Sequence, residues 1–377
     1  MALLGQHLVK RVEKLREAVF AENAEAAVVS RPANVAYFTG YDAGVLLALR
    51  SGEVLLLVPP LLRRQALDVV AENGLAGSVE VVVYTSRPDI FHLEGRVVKA
   101  RGVVDALNTL LPEGLILYDS LGLESAEKLG AGSRRRFKRI SVEKWRAVKE
   151  WWELELMKRA IEATEKGFRF MVDEIQEGYL LSEVEAAAAL EYGMRMGGAE
   201  DYAFPSIIAF GANTVYPHAK PSPRRYLRLN TPVVIDAGAR VGGYCSDMTR
   251  SFMYPSPSPD YRAIIEALVD AINAALERLE PGVKASAVDE AARRELEKHG
   301  LAKYFIHSLG HGVGLEVHEY PRLGPASSDV VEEGMVVTIE PGVYIESQGL
   351  GARLEEMVLV TARGPRVLTG LPLDLFS

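Results

Sequence analysis

One cysteine, Cys245, is all the thiol that the 377 residues contain. An intramolecular disulfide and a thiolate metal cluster are therefore excluded. Long apolar runs are also lacking: the densest, VLLLVPPLL over 54–62, is too short to span a bilayer and is broken by Pro59 and Pro60. The N-terminal MALLGQHLVKRVEKLREAVF has neither the unbroken apolar core nor the small-residue cleavage site of a signal peptide. Positive charge is in deficit, with 43 Lys and Arg against 51 Asp and Glu and a formal net charge of −8. That balance repels a nucleic-acid backbone or an anionic membrane, and the basic run Arg134-Arg135-Arg136 reads as a solvated face or the end of a linker. No short-period repeat and no low-complexity tract is present. The expectation is a cytoplasmic soluble protein with no nucleic-acid and no membrane partner.

What is present is a chain that is 48% apolar and 25% charged, enough for a sizeable core and, at this length, for two domains. Over 1–130 short apolar runs alternate with amphipathic segments. The runs at 26–30, 34–41, 45–50, 53–59, 79–85 and 115–120 read as strands, and 61–74 reads as a helix stopped by Gly74. A composition shift at 131–150, with small residues and then a basic run, reads as the connection to a second domain at 151–377. There the spacing of Leu156, Ala160, Ala163, Gly167 and Phe170 predicts an amphipathic helix over 152–175, and Ser182 with Glu185 fits a capping box. From Thr231 two strands around a Gly-rich turn are followed by two helices, a Gly/His loop and two more strand-like runs. Helices and antiparallel strands segregate, so the fold class is α+β.

Five residues carry candidate chemistry. Asp236 ends the apolar run VVID, where a buried carboxylate must be paired or bind a metal unless it caps the Ala-Gly turn. Asp247 follows eleven residues on, a separation at which two carboxylates converge across a strand pair, although Arg250 is an alternative partner for it. His311 sits among Gly310, Gly312 and Gly314, which allow backbone or ligand to come close. Glu340 ends a strand before Pro341-Gly342. Glu355 should lie on the opposite face from Glu356, with one inward and the other in solvent. Four carboxylates together repel and raise their own pKa values. Two dications and one bridging hydroxide bring the set, with a neutral histidine, to a net charge of about −1. Oxygen-rich ligation with one imidazole suits Mn²⁺ or Co²⁺, with Zn²⁺ or Fe²⁺ as alternatives. Two such ions roughly 3.5 Å apart can share a water and make it hydroxide.

The order and spacing of VVIDAG, SDMTRSF, GHGVGLEVHE, TIEPGVY and RLEEMVLV resemble the prolidase, aminopeptidase P and creatinase superfamily. NVAYFTGY and WRAVKEWWELELMKRA resemble it as well, so the likeness spans essentially the whole chain. It implies an N-terminal creatinase-like α/β domain and a "pita-bread" catalytic domain, a curved antiparallel sheet flanked by helices. It implies that Asp236 binds one metal, His311 and Glu340 the other, and that Asp247 and Glu355 bridge both. Glu340 would also serve the attacking water, His318 and His218 would meet the scissile carbonyl or oxyanion, and Arg353 would orient the ligand carboxylates. The substrate class implied is the Xaa-Pro bond, a tertiary amide with no N–H, for which polarisation of the carbonyl by metal suffices.

Within the superfamily, HEYPRLGPAS brings Arg322 close after His318. In resembling prolidases an arginine here meets the free carboxylate of a dipeptide. The expectation is therefore an Xaa-Pro dipeptidase, with an Xaa-Pro aminopeptidase acting on longer peptides as the alternative. A creatinase-like hydrolase of a non-peptide C–N bond, or a non-enzymatic binding relative, would have lost ligands that this chain keeps. The resemblance also implies a homodimer.

Overall fold

The computed structural model describes residues 2–90, 94–177, 181–373 and 375. It divides into two compact units, Met1–Trp145 and Arg146–Ser377.

In the first unit seven strands form one mixed sheet in the order Val97–Lys99, Glu80–Thr85, Val54–Val58, Val45–Leu49, Ala26–Val29, Leu115–Tyr118, Arg136–Arg139. The central three pair antiparallel and the outer ones parallel. Ala26–Val29 and Val54–Val58 are buried at every position, which is why they read as unbroken apolar runs rather than alternating ones.

Two local expectations fail here. The run 34–41 is not a strand: Pro32–Thr39 is a helix with Pro32 in its first turn and Gly40 at φ 74° closing it. Proline pre-sets the first helical φ, and the left-handed cap is open to glycine without strain. The turn leading in is held from a neighbouring strand end, where Asp119 accepts from the Ser30 and Arg31 N–H groups and from the Asn34 amide at 2.8, 3.1 and 2.8 Å. The basic segment read as a connection holds the edge strand Arg136–Arg139, whose charged residues face solvent while Phe137 packs edge-on to Tyr118. Charges on an edge strand discourage pairing with another chain.

The second unit is α+β, with every strand pair antiparallel. The helices Trp151–Gln176 and Glu183–Met196 make one pair, and Pro259–Arg278 and Ala285–Lys298 a second. Each pair has its own core against the strands. Val336 and Met357 enter one core and their neighbours Val337 and Val358 the other, because successive strand residues point to opposite faces. The capping box forms as expected, with the Ser182 side chain accepting from the Glu185 N–H and the Glu185 carboxylate from the Ser182 N–H. The segment expected as two strands is divided into four, Thr231–Ala237, Ala239–Val241, Tyr244–Cys245 and Met248–Tyr254. Thr231–Ala237 pairs with Met248–Tyr254 in a register that sets Asp236 opposite Thr249.

The first helix pair approaches through glycines. A Cβ on Gly167 would lie 2.6 Å from the Leu190 carbonyl oxygen, and one on Gly193 2.8 Å from the Gly167 Cα. Gly167→Ala should therefore destabilise the second unit by about 1–3 kcal/mol through overpacking, against the small gain of alanine in an open helix. Differential scanning calorimetry checks this; an unchanged or raised Tm would mean that the helices are not so close.

Candidate metal centre

The candidate residues converge because strand ends from different sheets meet at one cleft of about 1020 Å³. Asp236 is on the strand Thr231–Ala237, Asp247 immediately precedes Met248–Tyr254, and His311 is the middle residue of Gly310–Gly312. Glu340 sits between Val336–Ile339 and Gly342–Ile345, and Glu355 between Leu350–Arg353 and Glu356–Leu359. Asp247, Glu340 and Glu355 lie just outside the strands, at breaks in the ladder, while Asp236 and His311 are paired strand residues, and all five line the cleft. Gly310 and Gly312 serve close backbone approach, since a Cβ on either would collide with the carbonyl of Thr338 or of Tyr320. All nine residues singled out in the sequence line this cleft: His218, Asp236, Asp247, His311, His318, Arg322, Glu340, Arg353 and Glu355.

Ligand atoms of Asp247, His311 and Glu355 lie within 4.8 Å of one another. His311 Nε2 is 3.2 Å from Glu340 Oε1 and 3.6 Å from Asp247 Oδ2. Its Nδ1 lies 3.2 Å from the Gly312 carbonyl, which only accepts, so Nδ1 is the donor. In the neutral imidazole Nε2 then presents a lone pair to two carboxylates, an arrangement that a shared cation relieves. Arg353 Nη2 donates to Asp236 Oδ2 at 2.6 Å, its Nε to Thr249 Oγ1 at 3.1 Å, and its Nη1 to Tyr344 OH at 2.6 Å. Thr249 in turn donates to Glu355 Oε2 at 2.8 Å. The other oxygens, Asp236 Oδ1 and Glu355 Oε1, are buried with no hydrogen-bond partner. Two orphaned carboxylate oxygens, on residues that line the same cleft as the His311 imidazole, fit divalent cations.

The electrostatics agree. Burial, then Glu355, Asp236 and Glu340, hold the Asp247 carboxyl well above its usual range. Burial, with Glu340 and Asp236, does the same to Glu355. Asp236 is raised by burial too, against the pull of Arg353. Glu340 is the exception: burial works against its charge, but His311, which donates to it through Nε2 when protonated, and the nearby positive groups leave it below its usual value. Burial and the adjacent His311 lower His318, whose ring meets that of His311 edge-on at 4.3 Å.

Glu356 corrects an expectation. It does not reach solvent but lies buried behind the cleft wall, 3.2 Å from the buried Arg250, and burial pushes its carboxyl up to about 7. Alternation did put Glu355 and Glu356 on opposite faces, but both faces of this strand are covered. Arg250 therefore pairs with Glu356 rather than with Asp247. Arg322, which lines the cleft, donates through its Nε to Ser308 Oγ at 2.9 Å.

Thr249, Tyr344, His307 and Glu319 were not anticipated. Thr249 reads as an ordinary strand former, and only its register opposite Asp236 would have marked it. His307 and Tyr344 meet at 3.1 Å and extend the Arg353 network. Glu319, beside His318, is held by Arg146 at 3.0 Å and by Lys149 at 3.3 Å, which pins the turn that carries His318.

The sequence model of metallopeptidase family M24 matches residues 155–362, and that of the creatinase/prolidase N-terminal domain residues 11–144. The Xaa-Pro dipeptidase of Pyrococcus furiosus is 35% identical over 364 residues, covering 96% of this chain and 97% of that protein. The prolidase structure from Pyrococcus horikoshii OT3 superposes with a TM-score of 0.83 at 31% identity, covering 97% of this chain and 99% of that one. An X-Pro aminopeptidase structure from Thermotoga maritima superposes with a TM-score of 0.81 at 30% identity, again covering 97% and 99%.

The raised carboxyls have a consequence for the metal-depleted protein. Asp247 and Glu355 bind more protons folded than unfolded, so their stabilising effect is present below the ordinary values of 3.8 and 4.5 and is lost as the pH rises through their raised ones. Glu340, held low, works in the opposite sense over its own range. Without metal, stability should fall from about pH 4 upward, and Asp247→Asn should raise the metal-free Tm while weakening metal uptake. Calorimetry in chelator across pH, with titration calorimetry of Mn²⁺, tests both; a metal-free Tm lowered by the substitution contradicts the account.

Proposed function

The chain belongs to metallopeptidase family M24 and carries a creatinase/prolidase N-terminal domain, and from that premise we propose that it hydrolyses Xaa-Pro bonds in dipeptides. The observation that carries this is the convergence of four carboxylates and His311 on one cleft that also holds His218, His318 and Arg322. In this reading Asp236 would hold one divalent cation, His311 and Glu340 would hold the other, and Asp247 and Glu355 would serve both. The oxygen-rich donor set favours Mn²⁺ or Co²⁺ over Zn²⁺ or Fe²⁺. Bound there, such ions would lower the pKa of the attacking water and polarise the scissile carbonyl.

The remaining roles fall to the chain's own groups. Glu340, kept ionised by its neighbours, takes one proton from the attacking water at a carboxylate oxygen. The water oxygen bonds to the carbonyl carbon and the C–N bond breaks. The same proton passes to the proline nitrogen, which leaves as a secondary amine. His318 and His218 donate to the carbonyl oxygen as negative charge grows on it. Arg353 holds Asp236 and, through Thr249, Glu355 in fixed orientations. Arg322, braced by Ser308, meets the free carboxylate of the dipeptide.

The similarity to an X-Pro aminopeptidase supports a second reading, cleavage of longer peptides in the same cleft. Arg322 separates the two, since a longer peptide has no carboxylate at that distance. A homodimer in the cytoplasm completes the proposal. No described helix is long and apolar enough to cross a membrane, and the net charge of −8 opposes nucleic acid as a partner.

Metal-depleted protein reloaded with Mn²⁺ or Co²⁺ should cleave Ala-Pro far better than Ala-Pro-Ala. Preference for the tripeptide would replace the dipeptidase reading by the aminopeptidase one, and activity independent of metal would overturn both. Arg322→Ala should raise KM for Ala-Pro about ten-fold, a loss of about 1.4 kcal/mol of binding, with little change for Ala-Pro-Ala. An equal effect on both peptides removes the carboxylate contact. Glu340→Gln should lower kcat by about 10²–10⁴; unimpaired turnover refutes its assignment as base.

A further inference from the structure

A buried carboxylate outside the cleft has no cation paired with it among the described residues and no place in the steps above. Glu183, in the first turn of the helix Glu183–Met196, is fully buried. Its Oε1 accepts from the Phe210 N–H at 2.7 Å and from the Asn213 amide at 3.0 Å. Its Oε2 accepts from the Ser222 N–H at 2.9 Å and from the same Asn213 amide at 3.1 Å. Every contact is thus with one stretch of chain, and the helix N-terminus adds a favourable dipole for the negative charge.

That stretch is the wall of the cleft bearing His218. Phe210 and Asn213 precede Tyr216, Pro217, His218 and Ala219, and Ser222 follows them. Glu183 therefore clamps both ends of the segment from the side away from the cleft. The middle is tied to the cluster, since Arg353 Nη1 reaches the Pro217 carbonyl at 3.2 Å while Nη2 holds Asp236. With its two ends and the residue before it fixed, the His218 backbone is located relative to the carboxylates. A flexible loop would not deliver an imidazole to a carbonyl oxygen within the tolerance that catalysis requires.

We propose that Glu183 is the positioning residue for His218, a clamp that sets where this histidine meets the substrate carbonyl without itself touching substrate or metal. The proposal rests on the Xaa-Pro reading for His218's role, but the clamp itself does not. A glutamine is nearly the same shape and presents an N–H₂ where one acceptor oxygen was. At either oxygen it faces a backbone N–H donor and the clamp opens at one end.

The test is a double-mutant cycle on the full-length, metal-loaded protein, with Glu183→Gln made alone and with His218→Ala. Glu183→Gln alone should lower kcat/KM for Ala-Pro about ten-fold or more. In the His218→Ala background it should change kcat/KM less than two-fold, because the residue it positions is gone. Mn²⁺ affinity should stay within two-fold of the parent, since none of the cluster's carboxylates bonds to Glu183. Equal losses in the two backgrounds overturn the proposal and leave Glu183 a general stabiliser. Histidine NMR on protein loaded with diamagnetic Zn²⁺ reads the clamp without turnover. Glu183→Gln should shift the His218 ring resonances, assigned by their absence in His218→Ala, and leave those of His318 in place. Unmoved His218 signals sink the clamp whatever the activity. If they move but the parent does not cleave Ala-Pro, the Xaa-Pro reading fails and the clamp stands.

Discussion

Four carboxylates facing one another across a single cleft repel, and much of the second unit is arranged to hold them there. Asp236, Asp247, Glu340 and Glu355 sit at strand ends or breaks, so the backbone rather than mutual attraction brings them together. Among the described residues the arginine bonded to this cluster is Arg353. It spreads over Asp236, Thr249, Tyr344 and the Pro217 carbonyl, so that one guanidinium fixes partners from several segments. A single fixed cation cannot balance four carboxylates. The raised Asp247 and Glu355 express that deficit, and the unpartnered oxygens of Asp236 and Glu355 show where it is concentrated. Divalent cations are what such a deficit accommodates.

The cleft wall is secured from behind by a second ion pair. Arg250 bonds to Glu356, to the carbonyls of Thr249 and Glu355, and to those of Leu371 and Pro372. A buried ion pair is weak evidence for stability in itself, because desolvation offsets the attraction. Here its geometry matters more than its net energy, since two of the carbonyls it holds belong to Thr249 and Glu355, whose side chains enter the cluster. The histidines are supported in the same manner. Arg146 and Lys149 neutralise Glu319 beside His318, while Glu183 gathers the loop of His218. The histidines proposed to meet substrate are thus placed by buried charges outside the cluster.

Much of this was legible in the chain. The five candidate ligands were each ambiguous, yet their order, spacing and combined charge marked them as a set, and the same motifs led to His218, His318, Arg322 and Arg353. The long helices were equally plain, because apolar spacing and the Ser182–Glu185 box are local signals. The errors share one cause. The helix Pro32–Thr39 was read as a strand because β-branched and aromatic residues outweighed its Pro32 and Gly40 signals. One of Glu355 and Glu356 was given to solvent because alternation separates two faces without saying what covers each. Thr249 and Glu183 passed unnoticed because a threonine in a strand and a glutamate at a helix start are unremarkable until their partners are known.

The sequence by itself determined the chemistry of the centre: oxygen-rich donors with one imidazole, no thiolate, and an order of motifs that resembles one superfamily. These properties are carried by residue type and spacing, which do not depend on distant contacts. Only the tertiary structure decided which carboxylates are relieved by Arg353 and which are left facing one another, that Arg250 belongs to Glu356, and that Glu183 holds the loop of His218. Those pairings join residues more than a hundred positions apart in the first two cases and some thirty to forty in the third. Burial and hydrogen-bond geometry set their strength, and neither exists until the strands, helices and loops have packed.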